Sequence, residues 1–260
     1  FLLIIVLLGS ACVAGAASNN YLNREYGELL PDSTAQVGLW WASSGWKISP
    51  HRVAPTERGD ALVIRAARNE VETAQFVVRP ASRLVGLRIE PGSLAGPNGE
   101  TIAASQIEVL QVRYVIVEHP TDRSALTGPW PDPLPPLAGA LHLKGQWNQP
   151  FWVRVKVPGD VRAGLYKGTL NLKAEGYSAG VPLHVEVYDF VLPDRMTCTT
   201  AFGFSPGNVY RYHNLSTEAQ RREVLDKYWT NFSDHHISPY NPAPLDPVRV
   251  TWPNIKPPER

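Results

Sequence analysis

Short segments with alternating apolar and polar residues dominate the sequence between Leu62 and Pro193. Such alternation buries one face of a strand and exposes the other. The clearest example spans 151–157 and ends at a Pro-Gly-Asp turn. Further predicted strands cover 61–65, 73–79, 87–89, 107–117, 166–173 and 181–190. Because no helical pattern interrupts them, residues 61–194 are predicted to form an antiparallel β-sandwich, and the chain is predicted to be mainly β.

The alternation within 151–157 also assigns its side chains to two faces. The apolar residues are predicted to point into the core: Phe151, Val153, Val155 and Val157. The residues between them are predicted to lie on the opposite face: Trp152, Arg154 and Lys156. The segment 128–136 is different, because its five prolines argue against a strand in a hydrogen-bonded ladder. We predict an extended, polyproline-like loop there.

The first 17 residues are typical of an export signal. Phe1 to Leu8 form an unbroken apolar run, and Ala14-Gly15-Ala16 has the small-x-small pattern that a signal peptidase accepts. The run is shorter than the about 20 apolar residues that cross a bilayer, so no stable membrane span is expected. We expect a secreted, periplasmic or cell-surface protein. A lipid anchor at Cys12 stays open, although Gly9 stands where a leucine-like residue is usual.

Residues 18–60 are predicted to be irregular, and they carry a cluster of tryptophans at positions 40, 41 and 46. Two interpretations are open. Exposed tryptophans can stack on sugar rings, which would make the cluster a carbohydrate platform. Alternatively, the three rings wedge the N-terminal segment onto the sandwich.

The pattern changes after Pro193. Residues 199–204 are predicted to form a strand, and Ser216 is predicted to cap a helix over about 217–235. Apolar residues form one stripe along this helix: Val224, Leu225, Tyr228, Trp229 and Phe232. Residues 237–240 follow as a second short strand. This strand–helix–strand order indicates a parallel α/β domain, and we expect residues 195–260 to be its truncated start.

Three segments carry a resemblance to a known family: Asn148-Gln149-Pro150-Phe151-Trp152, Ala163-Gly164-Leu165-Tyr166-Lys167-Gly168-Thr169 and Tyr188-Asp189-Phe190-Val191-Leu192-Pro193-Asp194. In this order they resemble glycoside hydrolase family 123 and its uncharacterised relatives. In that family an N-terminal β-sandwich precedes a (β/α)8 catalytic barrel. The resemblance therefore implies that residues 195–260 begin a barrel, which needs about 250 residues when complete.

The resemblance also implies a reaction. Characterised members are β-N-acetylgalactosaminidases, in which the acetamido oxygen of the substrate attacks the anomeric carbon. An Asp orients the acetamido group, and the adjacent Glu protonates the leaving oxygen. No Asp-Glu dipeptide occurs in these 260 residues. We therefore assign no catalytic residue, expect the fragment alone to be inactive, and expect a glycan substrate for the parent enzyme without a cofactor or metal. The alternative is a non-catalytic sandwich that binds a glycan or a surface protein.

Phe204 and Tyr240 are the candidate substrate-binding residues. In a barrel they would lie near the C-terminal ends of the first two strands, on the face where barrel active sites form. Filling a core is the alternative role for both rings. Charge gives no sign of a nucleic-acid partner, because 25 basic residues balance 24 acidic ones and no basic run is present.

Overall fold

The computed structural model describes residues 26–121, 127–195 and 197–251 of the chain. They divide into two compact units, the first ending at Leu192 and the second beginning at Pro193, close to the boundary predicted at residue 194. In the described ranges, no helix combines the length and hydropathy needed to cross a membrane. The predicted signal at 1–17, including Cys12, lies outside the described residues, so export stays a prediction.

The described part of the first unit is built mainly from strands, with two short 3-10 helices at Pro97–Gly99 and Ala104–Gln106. In chain order the strands are β1 (Glu28–Leu29), β2 (Val37–Ser43), β3 (Leu62–Arg68), β4 (Val71–Pro80), β5 (Leu84–Pro91), β6 (Leu94–Ala95), β7 (Thr101–Ile102), β8 (Ile107–Gln111), β9 (Tyr114–Val117), β10 (Gly128–Pro131), β11 (Leu141–Leu143), β12 (Gln149–Lys156), β13 (Gly164–Ala174) and β14 (Tyr177–Val191). The mainly β character expected from the sequence is confirmed.

Two sheets carry most of these strands. The first has the order β1-β2-β4-β12-β8, and all its pairings are antiparallel. The second has the order β11-β5-β13-β14-β3, with the short strands β6 and β7 beside β13. β13 and β14 form a hairpin whose turn contains Gly176 at φ 64°, a backbone conformation that glycine adopts without strain.

One pairing of the second sheet departs from the predicted antiparallel arrangement. β14 pairs with β3 in parallel, so that Val185 lies opposite Ile64. β3 cannot form a same-sheet hairpin with the next strand, because β4 belongs to the first sheet. The chain turns between them at Asn69, which has φ 61°, and the carboxylate of Glu70 accepts a hydrogen bond of 2.7 Å from the Ala67 amide.

The apolar sides of the two sheets form one core. The inward face predicted for β12 is confirmed, since Phe151, Val153 and Val155 are fully buried while Arg154 is exposed. Phe151 stacks on Phe76 of β4 with 5.3 Å between ring centroids. From the second sheet, the core receives the side chains of Leu62, Ile64, Leu87, Tyr166, Leu170, Leu183 and Val185.

The irregular structure predicted for residues 18–60 is wrong for part of this range, because β1 and β2 lie in it. β2 is difficult to predict from the sequence because both of its faces are buried. Val37 and Leu39 point into the main core, whereas Trp40 and Ala42 belong to a second apolar cluster on the other face. A strand that is buried on both sides loses the apolar–polar alternation by which it would be recognised.

The proline-rich segment also contains a strand, contrary to the prediction of a loop throughout 128–136. β10 pairs with β9 in a two-stranded ribbon, with Pro129 opposite Ile116 and Trp130 opposite Val115. Pro129 and Pro131 occupy alternate positions of β10, so the residues that need to donate to the neighbouring strand are not prolines. Both strands of a two-stranded ribbon are edge strands, and edge strands tolerate proline.

Among the described residues of the second unit there are two helices, α1 (Pro206–Tyr212) and α2 (Glu218–Asp234). The helix predicted near 217–235 is confirmed, but its cap is Thr217 rather than Ser216. The Thr217 hydroxyl accepts from the Gln220 amide at 3.2 Å, and the Gln220 side chain accepts from the Thr217 amide at 3.1 Å. This reciprocal pair is a capping box, which satisfies two backbone donors at once.

The two strands predicted around α2 are reduced to a single bridge. Phe202 pairs in parallel with Pro239, and the amides of Phe202 and Tyr240 donate at 2.8 and 2.9 Å to the carbonyls of Ser238 and Phe202. The parallel direction agrees with a β-α-β unit, but the contact is too short to form strands. The (β/α)8 barrel therefore stays a proposal.

Replacing Val155 by Asp tests the central strand. The carboxylate would lie in the main core without a partner, so we expect a loss of about 4 kcal/mol or more in the free energy of unfolding. Lys156→Asp places the same side chain on the exposed face of β12 and should cost less than about 1 kcal/mol. Urea unfolding of both variants measures the difference, and equal midpoints would contradict the assigned faces.

Candidate functional site

The second unit holds an open cavity of about 660 Å³ on one side of α2. Its lining mixes aromatic and aliphatic side chains with polar ones: Asp194, Arg195, Trp229, Phe232, Ser233, His236, Ile237, Ser238, Pro239 and Pro242. A concave apolar surface with a few polar groups is the usual form of a small-molecule site. The predicted site residues Phe204 and Tyr240 are not among the residues that line it.

Phe204 packs against the helix. Its ring centroid lies 5.5 Å from that of Tyr228, 5.0 Å from Trp229 and 5.3 Å from Phe232, and the side chain is half-buried. The contact with Tyr228 is tilted and the other two are edge-to-face, and all three stabilise the position of the ring. Tyr240 is different, because 81% of its surface is exposed. Packing therefore accounts for the position of Phe204 and leaves Tyr240 accessible, and substrate contact stays a prediction for both.

A smaller cleft of about 410 Å³ lies on the first unit. Its lining contains three aromatic residues and two carboxylates: Tyr26, Gly27, Glu28, Trp41, Ala42, Ser43, Trp46 and Glu57. Trp40 is fully buried in the second apolar cluster, so the wedge interpretation holds for this ring. Trp41 and Trp46 are only half-buried and form part of the cleft wall, so the platform interpretation remains open for these two.

Hydrogen bonds fix the walls of this cleft. The indole nitrogen Nε1 of Trp41 donates to Oε2 of Glu28 at 3.1 Å. Gln75, which is buried on β4, donates from Nε2 to the carbonyls of Ser43 at 3.0 Å and Trp46 at 2.7 Å. Gly27 has φ 84°, and any side chain at this position would clash with the carbonyl of Trp41. Sequence reasoning singled out the two tryptophans but missed the carboxylates, which lie far apart along the chain.

Three other titratable residues, Glu70, Glu72 and His235, make hydrogen bonds that serve the local structure. Glu70 caps the turn between β3 and β4, and the carboxylate of Glu72 accepts from the Thr73 amide at 2.7 Å. Nδ1 of His235 lies 2.7 Å from the carbonyl of Asn231 at the end of α2. Within the described part of the chain, no three His, Cys, Asp or Glu side chains are grouped closely enough to hold a metal.

The sequence matches the family model of the glycoside hydrolase 123 N-terminal domain over residues 41–174. The chain belongs to this family. The matched range contains the strands from β3 to β13 and part of the cleft lining, including Trp46 and Glu57. The family resemblance inferred from the motifs in β12 and β13 is therefore confirmed. A comparison with curated proteins finds no significant match.

Among solved structures, a family 123 glycoside hydrolase from Clostridium perfringens, studied for its hydrolysis of glycolipid glycans, is similar at a TM-score of 0.67 and 16% identity. The match covers 77% of this chain and 37% of that structure, so the chain spans little more than a third of its length. A PapD-like domain of human CEP192 matches over 54% of this chain and 95% of its own, with 10% identity and a TM-score of 0.29. The first of these similarities supports the β-rich family 123 fold.

Substituting the two predicted site residues one at a time tests which of the two rings stabilises the second unit by packing. Phe204→Ala removes a ring that packs against α2 and should lower the stability of the second unit by about 1–3 kcal/mol. Tyr240→Ala removes an exposed ring and should change it by less than about 0.5 kcal/mol. Thermal unfolding followed by far-UV circular dichroism reports on both variants. An equal loss for Tyr240→Ala would show that this ring also packs in the unit.

Proposed function

We propose that this chain is the N-terminal part of an exported family 123 glycoside hydrolase that cleaves N-acetylhexosaminides from glycans. The observation that carries the proposal is the family 123 fold, similar over 77% of the chain to a hydrolase of which it spans 37%. The family match over 41–174 lies within the first unit, which supports a sandwich that precedes a catalytic domain.

The proposed chemistry follows from the resemblance. In a substrate-assisted reaction, the acetamido oxygen attacks the anomeric carbon while an acidic Glu donates a proton to the leaving oxygen. A neighbouring Asp stays ionised and holds the acetamido group. The sequence contains no Asp-Glu dipeptide. The proposal therefore places the catalytic pair in the remainder of the enzyme and assigns none of the present residues to the chemical step.

In this proposal the second unit begins the catalytic barrel. The parallel bridge between Phe202 and Pro239, with α2 between them in sequence, supports this view. Parallel pairing across a helix is the repeating unit of a (β/α)8 barrel. The candidate substrate contacts Phe204 and Tyr240 then follow the first two strand positions, on the side where barrel loops form active sites.

The coding sequence beyond Arg260 provides a direct test. We expect it to continue in frame and to contain an Asp-Glu pair at the end of a predicted barrel strand. A stop codon directly after Arg260 would contradict the proposal and favour a non-catalytic module that binds a glycan or a surface protein.

The activity of the chain itself gives the matching biochemical prediction. Purified residues 18–260 should not hydrolyse aryl N-acetylhexosaminides above background, because the carboxylate pair that the reaction needs is absent. The full-length protein, assayed in parallel, should be active and should lose activity when its Asp-Glu pair is changed to Asn-Gln. Turnover by the 18–260 chain that persists after repurification would show that the catalytic groups lie within it.

A further inference from the structure

The cleft of the first unit contains an aromatic ring held by a stack of three groups. The rings of Trp46 and Tyr26 are parallel within 5°, with centroids 4.1 Å apart. The guanidinium carbon of Arg52 lies 3.7 Å from the centroid of Tyr26. Two groups this close to one ring occupy its opposite faces, so the stacking order is Arg52, Tyr26, Trp46. Tyr26 therefore covers one face of the Trp46 indole, and the other face is the one available to a ligand.

The inner layers of this stack are fixed. Arg52 is only 4% exposed, donates from Nη2 to the carbonyl of Tyr26 at 2.6 Å, and also lies 4.7 Å from the ring of Trp40. Its own carbonyl accepts from Nδ2 of the buried Asn148 at 2.8 Å. Burial raises the pKa of Tyr26 to about 12, against the lowering effect of Arg52. The Tyr26 hydroxyl thus stays protonated and donates to the Lys47 carbonyl at 3.1 Å.

The backbone of Trp46 is held as firmly as its ring. Its carbonyl accepts the 2.7 Å hydrogen bond from Gln75, and its amide donates to the Ser43 carbonyl at 3.3 Å. A ligand that stacks on this indole would therefore bind to a surface that is already in place. Such preorganisation lowers the entropic cost of binding.

Carboxylates supply the polar part of the cleft. The indole of Trp41 orients the Glu28 carboxylate through Oε2. The other carboxylate oxygen, Oε1, does not take part in this hydrogen bond. Glu57 is exposed, and its carbonyl accepts from the Leu29 amide at 2.7 Å, which places residue 57 beside β1. Ionised carboxylates accept hydrogen bonds only, and they accept them strongly from hydroxyl groups. The eight lining residues, all in the described range, include no lysine or arginine.

We propose that this cleft binds a neutral pyranose ring of a glycan, with the C–H face of the sugar on Trp46 and its hydroxyl groups donating to Glu28 and Glu57. An aromatic face beside hydrogen-bonding groups matches the two sides of a sugar, one apolar and one rich in hydroxyls. Acidic sugars are disfavoured, because their carboxylate would meet two of like charge. The inference rests on the cleft alone and does not depend on the proposed hydrolytic activity.

Ligand-observed NMR titration of the 260-residue chain tests the proposal. The probes are methyl β-galactopyranoside, methyl β-glucopyranoside and N-acetylgalactosamine as neutral sugars, and galacturonate as an anionic one. We expect saturable binding of at least one neutral sugar, with galacturonate weaker by about tenfold or more. Failure of all three neutral probes to bind, or equal binding of galacturonate, would overturn the proposal.

Variants locate the binding surface. Trp46→Ala should weaken binding of the neutral sugar by about tenfold, because the stacking face is lost. Trp147→Ala is the matched control, since Trp147 is also half-buried in the first unit but does not line the cleft, and it should leave binding unchanged. Unchanged affinity in a folded Trp46→Ala variant would refute the site.

Glu57→Gln keeps the test valid if Trp46→Ala does not fold. Glu57 is exposed and makes its contact with β1 through the backbone, so the variant should keep its melting temperature. We expect the neutral sugar to bind about threefold more weakly and the preference over galacturonate to shrink. An unaltered affinity and an unaltered preference would show that the sugar binds elsewhere. These experiments measure sugar binding and not hydrolysis. A negative result would therefore leave the hydrolase proposal intact, and failure of the hydrolase proposal would leave the sugar site intact.

Discussion

The first unit depends on the burial of one face of β12 between two hydrogen-bonded neighbours. β12 pairs with β4 on one side and β8 on the other, and its inward side chains from Phe151 to Val155 are fully buried. Burying each such side chain contributes about 1.5–3 kcal/mol. The stacked rings of Phe76 and Phe151 then join β4 to β12 within the core. The position of β4 is set by these contacts, and everything on its outer face depends on that position.

The Trp46 side of the cleft is built on this outer face. Gln75 precedes Phe76 on β4, so its side chain points away from the main core and reaches the carbonyls of Ser43 and Trp46. Arg52 forms the layer beneath the cleft. A buried guanidinium is costly unless it is hydrogen-bonded, and here the Tyr26 carbonyl and the two flanking aromatic rings provide the compensation. The residues before β3 therefore form an ordered layer on the sheet.

The sequence predicts those parts of the fold in which burial alternates. It assigns the faces of β12 and the apolar stripe of α2 correctly because one side of each element is exposed. It fails for β2, where a second cluster covers the outer face, so that apolar residues no longer alternate with polar ones. It misses Glu28 and Glu57 as a pair because these positions are distant in sequence and are brought together by the backbone hydrogen bonds that Leu29 makes with residues 57 and 59.

The parallel pairing of β3 with β14 has a consequence for the order in which the chain folds. β3 lies near the start of the second sheet's sequence, and its partner ends at Val191, with Asn69 donating from Nδ2 to the Leu192 carbonyl at 2.9 Å. During synthesis, β3 therefore has no partner in its sheet until more than a hundred further residues have left the ribosome. Contacts so distant in sequence slow folding, and the open edge is a point where two nascent chains can associate. The last strand of the sandwich thus supplies the partner of the first strand of this sheet, and β3 is then paired along the edge that faces β14.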